Sequence, residues 1–198
     1  NAPIGYWSRQ YAYDKASIIS HAHAFTEGMK AAKVLTTAKH FPGLGAVTGN
    51  TDISAGVRDD QTNSNSESVQ IFKDLISSGT PSIMTATAIY DKIDPNLPGA
   101  FSSKMVDGLL RKQLSFDGLV ITDDLSNAVQ VQSWTPGQRA VLALSAGNDL
   151  VLANEPTQIP EMISEVLQKA KADPDFAKKI SQSATRVIKV KEEMKLVE

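Results

Sequence analysis

Four times along this chain a short apolar segment is followed by an amphipathic one. That alternation restricts the fold more than any other feature. Segments 34–41 (VLTTAKHF), 82–90 (SIMTATAIY), 118–123 (GLVITD) and 149–153 (DLVLA) read as strands. Residues 67–78, 103–114 and 136–147 read as helices after the first three, and 157–171 and 174–195 as helices after the fourth. One more helix, 14–32, precedes the first strand, with Asp14 as N-cap and Ile18, Ala22, Phe25 and Met29 at helical spacing. Strands alternating with helices imply a parallel sheet. Short, almost wholly apolar strands such as GLVITD belong to a sheet covered on both faces. The expected fold is therefore α/β with four βα units. That is half of a (β/α)8 TIM-type barrel, which takes about 250 residues when whole. A four-stranded open α/β sandwich satisfies the same pattern. At 198 residues, the chain is expected to form one domain over 1–198.

Composition removes several classes. Lys and Arg number 20 against 22 Asp and Glu, so the chain lacks the basic footprint that nucleic-acid binding needs. There is no cysteine, which excludes disulfides and thiolate metal sites. No apolar run approaches the ~20 residues that span a bilayer. His21 and His23 are two residues apart on a helix, about 200° around its axis, so they do not share a metal. With no Walker loop and no His-Glu-x-x-His, no metal site is expected. The opening residues NAPIGYWSRQYAYDK have no Met, no basic n-region and no apolar h-region, and they read as the interior of a longer protein.

In both candidate architectures, active sites gather at the C-terminal ends of the strands. That rule selects Lys39 and His40, Thr85 to Thr87, Asp123 and Asp124, and Asn154 and Glu155. Lys39 and His40 can hold sugar hydroxyls, a phosphate or a carboxylate, or pair with a purely structural acid. A strand-end carboxylate can be a nucleophile, a base or a metal ligand. Neighbouring strand residues face opposite sides, so Asp123 and Asp124 are not a dyad. Asp124 or Ser126 is expected to cap the following turn. Asp94 and Asp149 read as turn or cap residues. The polar stretch 43–66 is longer than ordinary loops, which marks it as functional or disordered.

The segments KHFPGLG at 39–45 and GLVITDDL at 118–125, at this separation, resemble glycoside hydrolase family 3. The likeness is greatest to its single-domain β-N-acetylglucosaminidase branch. Arg9-Gln10-Tyr11-Ala12-Tyr13-Asp14 resembles the family's Arg-x-Phe-Gly-x-Asp segment. Pro98-Gly99-Ala100-Phe101-Ser102, Leu110-Arg111, Phe116-Asp117-Gly118 and Ala146-Gly147-Asn148-Asp149 also fit, so the resemblance spans nearly the whole chain. It implies the C-terminal half of a catalytic barrel and a retaining double displacement. By this resemblance Asp123 is the nucleophile, and Arg9, Lys39 and His40 contact sugar hydroxyls. No metal or organic cofactor is implied. The partner is a carbohydrate, with peptidoglycan fragments or other GlcNAc-containing glycans as the expected material. A secreted or cell-envelope location follows by resemblance only.

The chain departs from the family in two places. The N-acetylglucosaminidase branch carries an Asp-Ser-His element after KHFPGHG, whose His is the acid/base. Here Leu44 stands in the glycine-flanked position, the loop holds no His, and Asn50-Thr51-Asp52 falls near the dyad. Asp52 is then the candidate acid/base, which requires a raised pKa. The alternatives are a saccharide-binding or scaffold relative without catalysis, and a β-glucosidase-type specificity. The second departure is the first half of the barrel, which this chain does not contain. Open sheet edges invite pairing, so a partner chain carrying that half, self-association, or a fragment cut from a longer chain is expected.

Overall fold

The computed structural model describes residues 3–197; the ends of the predicted 1–198 unit lie outside the described residues. Helix α1 (Lys15–Ala31) starts where Asp14 accepts a hydrogen bond from the Ser17 amide. Strand β1 (Thr37–Phe41) follows, then the two-residue β2 (Arg58–Asp59) and helix α2 (Glu67–Ser77). Next come β3 (Ser82–Thr85), β4 (Ile89–Tyr90) and β5 (Asp94–Pro98). A 3-10 turn (Gly99–Phe101) leads into a π-helix (Lys104–Gln113), and then into β6 (Leu119–Asp124). Helix α3 (Pro136–Ala146), β7 (Leu150–Leu152), α4 (Ile159–Ala172) and α5 (Pro174–Glu193) complete the chain.

The main sheet has the order β1-β3-β6-β7, and every neighbouring pair is parallel. Consecutive βα units therefore lie side by side, as in one half of a barrel, and all four strands end on the same side. Among the described residues β1 and β7 are the sheet's two edges. The helical layer closes over two apolar clusters. One joins Phe41, Val69, Phe72, Ile83, Val106, Leu110 and Val120. The other joins Phe101, Leu125, Val131, Ala140, Ala143 and Met162. Helix α1 buries none of its residues despite its apolar spacing, and Phe25 is 51% exposed.

The expected strand 82–90 is two strands in different sheets. Its first part, β3, pairs with β1 and β6; its last part, β4, pairs with β2 and β5. Between them the chain is taken over by other partners. The Ala100 amide donates to Ala86 and the Gly99 amide to Ala88, docking the 3-10 turn where a longer strand would run. The small β2-β4-β5 sheet thus stands on the C-terminal end of the main sheet. It also orders part of the stretch 43–66, which the sequence marks as a functional or disordered loop. The helix 103–114 winds as a π-helix, with Leu114 donating to Leu109 and Gly108 to Ser103. Met105, Val106, Leu109 and Leu110 face the core at either pitch.

Asp149 needs a larger correction. It is neither a turn residue nor a cap. Its carboxylate is fully buried, takes the Val120 amide at 2.9 Å, and pairs with Arg111 at 2.5 Å and Arg186 at 2.8 Å. Two guanidiniums and an amide satisfy it, which is what a buried charge requires. This hub ties the π-helix and α5 to the start of β6. Asp94 does behave as a turn residue, accepting from the Asn96 amide and the Ser102 hydroxyl.

Candidate active site

The C-terminal end of β1 delivers Lys39 and His40 in different environments. Lys39 is exposed, whereas His40 is 6% exposed. The peptide bonds Lys39–His40 and Phe41–Pro42 are both cis, and the β1 register shifts between Lys39 and Phe41. His40 Nε2 lies 3.5 Å from Asp123 Oδ2. Burial pushes the His40 pKa down to about 3, with the Lys39 and Arg9 charges adding to the effect. The ring is therefore neutral at physiological pH.

At the end of β6 the two adjacent carboxylates have separate tasks. Asp124 accepts from the Ser126 amide and hydroxyl, the Asn127 amide and the Asn154 amide. Burial opposes its ionisation, but these hydrogen bonds win and hold its pKa below the usual carboxylate value. It closes the turn after β6 and ties that turn to the end of β7, as an Asx turn residue does. Asp123 accepts one hydrogen bond, from the Asp124 amide at 2.9 Å. Burial raises its pKa, and the Asp124 amide, Lys39 and Arg9 work against that rise. Asp123 is thus the less satisfied carboxylate, free to meet an incoming atom.

Asp52 sits on the loop after β1, where its amide donates to the Asn50 side chain. Its pKa is raised by partial burial and by the Asp123 and Asp124 charges; Arg9 and Lys39 pull the other way. Asp52, Asp123, Asp124, Asn127, Ala128, Leu152 and Asn154 line one cavity of about 250 Å³. Arg9 is exposed and donates to the Pro3 carbonyl, yet its charge reaches His40, Asp52 and Asp123. The five predicted site residues therefore converge electrostatically, although they come from the N-terminal segment, β1, the loop after it, and β6. A larger groove of about 600 Å³, lined by Trp134, Val141, Leu142 and Lys169 among others, lies between α3 and α4 in the outer layer. Among the described residues, no three His, Asp or Glu side chains gather as a metal-binding group.

Three contributors have no signal in the sequence. Asn127 joins the cavity wall from the β6 loop. Gln130 bonds both the amide and the carbonyl of Val57, across 73 positions of chain. Arg139 on α3 is buried and donates to the carbonyls of Leu125, Ser126 and Trp134 and to the side chains of Gln132 and Gln158. Arg139 thereby fixes the loop that follows Asp123. Asn154 differs from these, because the strand-end rule had already selected it.

A family model of the Glycosyl hydrolase family 3 N terminal domain matches residues 1–190. The chain belongs to this family. A β-hexosaminidase of Methylobacillus flagellatus is 34% identical over 160 residues, which are 80% of this chain and 46% of that protein. A β-hexosaminidase of Hydrogenovibrio crunogenus is also 34% identical, over 161 residues covering 80% of this chain and 44% of that protein. Among solved structures, the β-N-acetylhexosaminidase of Beutenbergia cavernae superimposes with a TM-score of 0.95 at 50% identity, covering 97% of this chain and 57% of that one. A family 3 β-N-acetylglucosaminidase from Paenibacillus sp. gives 0.87 at 25% identity, covering 94% and 36%. The chain thus spans about half the length of these family members. The half-barrel architecture agrees with these superpositions.

Proposed function

We propose that the full-length protein is a retaining exo-β-glycosidase acting on terminal β-linked N-acetylglucosamine. One observation carries this reading: half-buried Asp123, beside neutral His40, shares a small cavity with Asp52. The names of the relatives support the acetamido sugar.

In the first step the Asp123 carboxylate bonds to the anomeric carbon as the bond to the leaving oxygen breaks. Protonated Asp52 gives its proton to that oxygen. In the second step the ionised Asp52 takes a proton from water. The water oxygen bonds to the anomeric carbon, and Asp123 leaves as a carboxylate. The electrostatics favour this alternation. The Asp123 charge is one cause of the raised Asp52 pKa. Esterification of Asp123 removes that charge, which lowers the Asp52 pKa when Asp52 must become a base. Arg9 and Lys39 favour the ionised form of Asp123 against the effect of burial and, with His40, donate to sugar hydroxyls.

Saccharide binding without turnover is the second reading, favoured by Leu44 and by a 43–66 loop that holds no histidine. Assay of the full-length protein on 4-nitrophenyl β-N-acetylglucosaminide and the matching β-glucoside separates the readings. Release from the acetamido sugar, lost in Asp123→Asn, is expected. Preference for the glucoside moves the specificity to the β-glucosidase type. Binding of GlcNAc without release from either compound favours the binding reading.

A further inference from the structure

The loop that carries Asp52 is fastened to the loop that follows Asp123, and a single side chain supplies half of the fastening. Gln130 lies in a 3-10 turn after β6 and is 5% exposed. Its side-chain oxygen accepts from the Val57 amide at 2.9 Å, and its side-chain nitrogen donates to the Val57 carbonyl at 3.1 Å. The Gln130 backbone amide donates to the Thr51 carbonyl, and the Val129 amide to the Asp52 carbonyl. Four hydrogen bonds therefore cross between the two loops, on both sides of Asp52 in the sequence.

We infer that Gln130 is a positioning residue that holds the Asp52 carboxyl over the cavity facing Asp123. This inference rests on the acid/base role proposed for Asp52. A proton donor works only within hydrogen-bond reach of the leaving oxygen, and Asp52 stands on an exposed loop with no regular helix or strand of its own. Its backbone anchors that loop, through the Val129 amide and the turn that Gln130 locks. Glutamine suits the task because one amide group both accepts and donates, matching a backbone N–H and C=O as a neighbouring strand would. A buried Val57 amide would otherwise be left unpaired.

The test uses the full-length protein with Gln130→Met, which keeps length and removes both hydrogen bonds. Gln130→Glu keeps the acceptor for the Val57 amide and loses the donor. Two β-N-acetylglucosaminides are compared, one with a 2,4-dinitrophenyl group that leaves without a proton and one with an alkyl group that needs it. Gln130→Met is expected to lower kcat/KM for the alkyl glycoside by about 10- to 100-fold, as small misplacements of a catalytic group do. For the dinitrophenyl glycoside kcat/KM, which reports only the first step, should change little, and Gln130→Glu, whose carboxylate would face the Val57 carbonyl, should not restore the alkyl glycoside. Amide hydrogen exchange at residues 51–57 should accelerate in Gln130→Met. Equal losses on both glycosides, or none, overturn the inference, as does unchanged exchange. A wild type that turns over neither glycoside defeats the glycosidase reading itself, and the exchange rates then decide the loop fastening alone.

Discussion

His40 Nε2 and Asp123 Oδ2 stand 3.5 Å apart at the ends of β1 and β6, strands that are not neighbours in the sheet. Strand β3 lies between them, so the contact reaches across one strand at the C-terminal rim. It places a neutral ring against the proposed nucleophile. A charged imidazole there would neutralise the carboxylate, and burial prevents that charge from forming.

This neutrality has a consequence for stability. His40 titrates near 6.5 when unfolded and near 3 when folded. Between those values the unfolded chain binds more protons, so stability rises with pH across the window and is lost as pH falls through it. The slope from this one group is up to about 1.3 kcal/mol per pH unit. Urea unfolding between pH 4 and 7 should show a shallower dependence in His40→Gln than in the wild type. Parallel curves would contradict a neutral, buried His40.

Asp52 is expected to set the alkaline limb of the kcat/KM profile. Its pKa is raised, so it keeps its proton above the ordinary carboxylate range and loses it as pH climbs. Asp52→Asn should abolish that limb and slow glycosides with poor leaving groups by about 100-fold or more. Added azide should restore part of the turnover of an activated glycoside, because it attacks the intermediate without a general base. An unchanged limb in Asp52→Asn would assign the proton to another group.

Asp149 predicts a loss of stability rather than of chemistry. Asp149→Ala leaves the half-buried guanidiniums of Arg111 and Arg186 without their shared carboxylate, which costs about 2–3 kcal/mol, less than a fully buried pair would. The denaturation midpoint should fall accordingly, while KM for a residual folded population stays near the wild-type value. A loss below 1 kcal/mol would mean that water replaces the hub.

Gly147 ends α3 at φ +112°, and a Cβ there would come within 2.2 Å of Asp107 Oδ1. Asp107 is itself paired with Lys179 of α5 at 2.6 Å. Gly147→Ala is therefore expected to cost about 1–3 kcal/mol from the backbone alone, measured by thermal or urea unfolding. Wild-type stability in that variant would show that the turn relaxes freely.

The four main strands are legible in the sequence as short apolar runs, but the second, read as 82–90, overruns β3, which ends at Thr85 where the chain leaves for the small sheet. Strand-end geometry selects Lys39, His40, Asp123 and Asn154 without any knowledge of relatives. Asp52 emerges only by matching the loop after β1 to a family pattern. The small sheet is not legible, because β2 and β4 are two residues long and too short for a period to show. Asp149 is misread for a related reason: its place before a strand looks like a turn, while its partners lie 38 residues upstream and 37 downstream. Gln130 and Arg139 escape notice because their roles consist of hydrogen bonds between distant segments, which no local spacing encodes.

Covalent trapping reports on Asp123 as the nucleophile. The full-length protein is exposed to an activated 5-fluoro-N-acetylglucosaminide, followed by intact-mass measurement and peptide mapping. One sugar per chain is expected, on the peptide containing Asp123, with no adduct in Asp123→Asn. A sugar on any other peptide, or undiminished turnover by Asp123→Asn, would contradict that role.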